Sequence, residues 1–90
     1  MSNSAISTQY DNWTLTRIWL KSEVVPDTNG VDVRFDRYGN IMRWSQYGKT
    51  TEHGWEVDHI VPDSWGGSPD ITNLQPLHWQ ANRKKGDHHI

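Results

Sequence analysis

Asp58 and His59 join a carboxylate directly to an imidazole, and Asn73 and Asn82 add two amides downstream. Arg83-Lys84-Lys85 then closes the stretch with three positive charges. These residue types suit metal-assisted cleavage of a phosphodiester. A hard divalent cation takes oxygen ligands from carboxylates and amides. A neutral imidazole can deprotonate the attacking water, and cationic side chains meet phosphates.

Each residue also has a plainer explanation. A lone histidine in a half-buried strand is usually just hydrogen-bonded to a neighbour, and an aspartate there can be an arginine's partner. Positive charge near a helix C-terminus is favourable by itself, by about 0.3–1 kcal/mol. Geometry adds a difficulty, because consecutive residues on a regular strand point to opposite faces. Asp58 and His59 can serve one site only if the strand twists or ends at His59. Pro62 and the glycine-containing loop behind it make such an ending reasonable.

The elements that must hold these groups can be read from periodicity. Asp11 or Asn12 is a cap for a helix from Trp13 to about Lys21, with Leu15, Ile18 and Trp19 on its apolar face. Pro26 to Gly30 is loop chemistry. Val31, Val33 and Phe35 alternate with Asp32, Arg34 and Asp36, which is strand periodicity. Tyr38-Gly39-Asn40 reads as a hairpin turn, with Ile41, Met42 and Trp44 on the return. A polar connector covers 47–54. Trp55 to Val61 reads as a strand stopped by Pro62, followed by a loop over 63–70. Leu74 to Leu77 reads as a short return strand, and His78 to Lys85 as a helix stopped by Gly86. Residues 1–10 and 88–90 read as frayed tails, and His88-His89 as part of the second one.

Composition narrows the choices. Ninety residues make one small domain. Six tryptophans supply unusual apolar area for that size, and a bound metal or a second subunit could add stability. With no cysteine, disulfides and thiolate zinc sites are excluded. No apolar run is long enough to span a membrane, and no signal peptide is evident. A cysteine-free chain is at home in the cytoplasm, which is the expected compartment. A net charge of -2 argues against a histone-like polycation. It leaves room for an enzyme whose cations are clustered.

The ordered string Glu56-Val57-Asp58-His59-Ile60-Val61-Pro62, Gly66-Gly67, Asn73-Leu74-Gln75-Pro76-Leu77 and Asn82-Arg83-Lys84-Lys85-Gly86-Asp87 resembles the HNH endonuclease family. The resemblance covers about 55–87. It implies an α+β domain in which a ββα-metal core follows a helix-plus-hairpin extension over 11–54. It implies a DNA endonuclease or nickase, of the kind found in phages, mobile elements and restriction systems. His59 would be the general base. Asn73 would join it in the catalytic set by pinning the loop behind it. Asp58 and Asn82 would hold a divalent metal, Mg2+ first, with Mn2+, Ni2+ or Zn2+ able to take the same place. His78 stands where zinc-binding relatives carry a cysteine, and Ala81 replaces the partner cysteine, so that structural zinc is not expected. His78 is either a third ligand at the catalytic metal or a packing residue beside Trp79. Arg83, Lys84 and Lys85, with Arg43, would contact nucleic acid, and Arg34 and Arg37 could extend the track. So small a chain has little surface for sequence readout, so the expectation is weak specificity alone, or a homodimer or protein partner that supplies it. The competing expectation is a non-cleaving ββα module that binds nucleic acid or protein.

Overall fold

The first helix starts where its cap dictates. The Asp11 carboxylate accepts the Thr14 amide at 2.7 Å, and α1 runs Asn12–Trp19 in the computed structural model, which describes residues 10–86. Of the tail expected over 1–10, residues 1–9 lie outside the described residues, as do Asp87 and the expected tail over 88–90 with His88-His89, while Tyr10 packs against the core. Leu15, Ile18 and Trp19 are buried, as their spacing requires. The helix stops before Lys21. The Lys21 ammonium leaves the helix end and donates to the carbonyls of Ile71 and Leu74. Partial burial pulls that ammonium below its ordinary pKa.

A three-stranded antiparallel sheet follows, in the order β1 (Glu23–Val24), β2 (Val33–Phe35), β3 (Ile41–Arg43). The two-residue β1 has no sequence signal of its own. In β2 the expected alternation holds, with the charged residue on the buried face. Arg34 is buried and Val31 is 67% exposed. Arg34 lies opposite Met42, which is fully buried. The guanidinium tolerates this place because it donates to three carbonyls, Gly30 at 2.7 Å, Ser22 at 2.6 Å and Leu20 at 3.4 Å. Buried Asp36 then closes the hairpin turn by accepting the amides of Tyr38 and Asn40, each at 2.9 Å.

The second half is a hairpin and a helix. β4 (Trp55–His59) pairs antiparallel with β5 (Leu74–His78), and α2 (Trp79–Lys85) follows at once. β4 is covered on both faces. Trp55 and Val57 face the core, where Trp55 lies 4.9 Å from Trp19, 5.9 Å from Trp44 and 4.9 Å from Tyr47 between ring centroids. Such aromatic pairs contribute about 0.5–1.5 kcal/mol each beyond area burial. Glu56 and Asp58, two residues apart, share the other face and meet α2. The architecture is α+β, as expected. No helix among the described residues is long and apolar enough to cross a membrane.

Candidate active site

β4 ends at His59, which meets the condition under which two adjacent residues could serve one site. The bend beyond it is held from across the loop by Asn73. The Asn73 carbonyl accepts the Ile60 amide at 2.7 Å. Its side-chain oxygen accepts the Val61 amide at 2.9 Å, and its nitrogen donates to Val61 O at 3.1 Å and Ser68 O at 2.8 Å. One amide thus ties both arms of the loop. The loop is tight enough to need glycine, since a Cβ on Gly67 would lie 1.8 Å from the Val61 carbonyl oxygen. Asn73 is placed as the loop pin, with its polar atoms committed to backbone.

The strand–helix interface carries two carboxylates. Asp58 is fully buried. Its Oδ2 accepts Gln75 Nε2 at 2.9 Å, from the residue directly opposite in β5. Its Oδ1 accepts Lys85 Nζ at 3.1 Å. Glu56 accepts Asn82 Nδ2 at 2.7 Å on Oε1 and Arg83 Nη2 at 3.1 Å on Oε2. An ionised carboxylate can only accept, so Glu56 fixes which end of the Asn82 amide it meets. The nitrogen faces Glu56 and the oxygen faces away. That oxygen is buried and has no hydrogen-bond partner, and the same holds for Nδ1 of His59. Glu56 also acts on Tyr47, whose phenol burial, with the charges of Tyr10 and Glu56, pushes up to about 12.

His78 is tied into the start of α2. It caps α2, with Nδ1 accepting the Gln80 amide at 3.1 Å, which leaves Nε2 protonated to donate to Glu52 O at 2.7 Å. Both ring nitrogens are therefore occupied, and the ring stacks beside Trp79 at 6.0 Å between centroids. Lys85 is not a surface cation. It is fully buried, and besides Asp58 it donates to His59 O at 2.9 Å. Arg83 stays exposed, with its guanidinium over the Trp79 ring at 5.4 Å, and Lys84 is exposed as well. Arg43 lies on β3 in an exposed ion pair with Asp32 at 2.7 Å. Buried Arg34 drops out of any cationic track.

Two residues to which the sequence alone assigns no role prove central, Glu56 and Gln75. A signal for Glu56 exists, because acidic residues at i and i+2 around Val57 must share one strand face. Gln75 requires the register, which spacing alone does not supply.

Among the described residues, no three His, Cys, Asp or Glu side chains gather as for a metal. A protein-poor oxygen set is still suitable for a cation such as Mg2+, which keeps several waters. Asp58 has lone pairs beyond the two hydrogen bonds it accepts, and Asn82 Oδ1 is a buried acceptor that nothing in the protein satisfies. The residues fit a small hard cation.

The model of the HNH endonuclease family matches residues 44–88, half of the chain. The chain belongs to the HNH endonuclease family. The match begins at Trp44, earlier than the motif string itself, and so takes in the turn and connector that lead to β4. No curated protein and no solved structure matches the chain.

Proposed function

We propose that this HNH protein is a divalent-metal-dependent endonuclease or nickase that hydrolyses DNA phosphodiester bonds. The observation that carries the reading is the orientation of Asn82. Glu56 holds its nitrogen, so its oxygen is presented, unbonded, in the interface that also buries Asp58. Asp58 and Asn82 would hold the cation, Mg2+ in the first instance, and His59 would act on water. A cation held there would offset the charge developing on the phosphate and on the leaving oxygen.

His59 takes a proton from water as the water oxygen bonds to phosphorus. The bond from phosphorus to the 3′ oxygen breaks, and that oxygen takes a proton from solvent. The products are a 5′-phosphate and a 3′-hydroxyl. Asn73 keeps the strand end and the loop in register, and with them the backbone that carries the imidazole. Arg83 and Lys84 would take neighbouring phosphates, and a second copy or a protein partner would supply target selection.

One observation favours the competing reading of a non-cleaving module: a lysine already neutralises Asp58. Incubation of supercoiled plasmid with Mg2+, Mn2+ or EDTA separates the two. Relaxed or linear product with metal and none with EDTA supports the enzyme. Intact plasmid under all conditions, with DNA still retained, supports the module.

A further inference from the structure

Lysine is among the side chains least often fully buried, and it is buried when paired. Lys85 is fully buried, and its ammonium donates to two atoms of the Asp58-His59 pair: the carboxylate oxygen at 3.1 Å and the His59 carbonyl oxygen at 2.9 Å. A carboxylate oxygen beside a backbone carbonyl oxygen is also the kind of ligand pair that a hard cation takes.

We infer that Lys85 is a resident cation that competes with the divalent metal for Asp58, so that metal binding is an exchange of one cation for another. The inference rests on the metal site proposed under the function. An ionised carboxylate cannot be buried without compensation. In the metal-free protein Lys85 provides it, and so keeps β4 docked on α2. A dication arriving at the same carboxylate would be repelled by the ammonium at short range, where screening is weak. The two charges are therefore not held together. Lys85 is free to leave because it is the last residue of α2, directly before Gly86 at φ 54. Its flexible four-carbon stem can carry the ammonium to solvent from there. The exchange also makes apparent metal affinity weaker than the ligands alone would give.

The test follows the lysine itself in the unaltered protein. An amine-reactive reagent is applied with and without saturating Mn2+, and labelling of Lys85 is read by mass spectrometry, with exposed Lys84 as internal control. Lys85 should be protected without metal and should approach the reactivity of Lys84 with it. Calorimetric titration with Mn2+ gives the second measure. Lys85→Met, which keeps the stem and removes the charge, should bind Mn2+ at least about tenfold more tightly than the unaltered chain. If that variant fails to fold, the labelling experiment still decides. Mn2+ bound by the unaltered chain, with Lys85 as protected under saturating Mn2+ as without it, overturns the exchange and leaves the proposed metal site standing. No Mn2+ binding by either protein overturns both.

Discussion

Asn82 donates its side-chain nitrogen to Glu56 at 2.7 Å, from the helix to the strand that carries Asp58. The bond matters less for its strength than for its sense, because the partner can only accept. Glu56→Gln removes that constraint, since glutamine offers both a donor and an acceptor and the Asn82 amide can turn over. Groups that orient a metal ligand typically influence affinity by about 10–100-fold. Calorimetry on Glu56→Gln should therefore show Mn2+ binding weakened by a factor in that range, while Glu56→Asp should retain more of it. Equal affinity in Glu56→Gln and the unaltered chain would show that Asn82 is not a ligand or needs no orienting.

His59→Ala is an unusually clean test of the base. The ring's Nδ1 has no partner to lose, and the backbone carbonyl that Lys85 uses survives the substitution. Cleavage should fall by roughly 10²–10⁴-fold, with Mn2+ affinity and DNA retention changed little. Plasmid relaxation within a few-fold of the unaltered chain would remove His59 from the base role.

Why the motif is readable in the sequence and its wiring is not can be seen at a few positions. Asn73 is legible because loop pinning is local, and a short polar amide at the far end of a Gly-Gly loop has few other uses. Lys85 is deceptive because a basic run looks like a solvated helix end. The 3.6-residue period turns Lys85 inward, on the side of Asn82, and leaves Lys84 outside. Arg34 deceives for a related reason. Strand alternation fixes which residues share a face, and tertiary structure decides which face is buried. Nothing local announces that the carbonyls of Ser22 and Gly30 converge on that guanidinium. His78 belongs with these, since its cap role depends on Glu52, 26 residues away in the chain.

That cap role gives the third prediction. His78→Ala removes the acceptor of the Gln80 amide at the start of α2 and leaves the Glu52 carbonyl without its donor. Caps and single buried hydrogen bonds are each worth about 0.5–2 kcal/mol. Urea unfolding should show a loss of about 1–3 kcal/mol, while Mn2+ affinity measured well below the transition stays as it was. A marked drop in affinity in a folded His78→Ala protein would restore the histidine as a ligand.

The basic run is split by burial, and salt dependence can expose the split. Lys84 is exposed and Lys85 is not, so of the two lysines only Lys84 should lie within reach of a phosphate in EDTA. Removing one phosphate-neutralising cation flattens the slope of log affinity against log salt by about 0.9 on duplex DNA. Fluorescence anisotropy over a salt series should show that flattening for Lys84→Ala, with affinity reduced about equally for unrelated sequences, because binding to phosphates carries little sequence information. Arg83→Ala should flatten the slope less, since Glu56 already holds part of that charge. Lys85→Met should leave the slope in EDTA unchanged, provided circular dichroism shows it folded. A slope flattened for Lys85→Met as much as for Lys84→Ala would put the Lys85 ammonium on the surface in the metal-free protein. An unchanged slope for Lys84→Ala would move the DNA track to the β2–β3 hairpin, where Arg37 stacks on Tyr38 at 5.3 Å and Arg43 is held by Asp32.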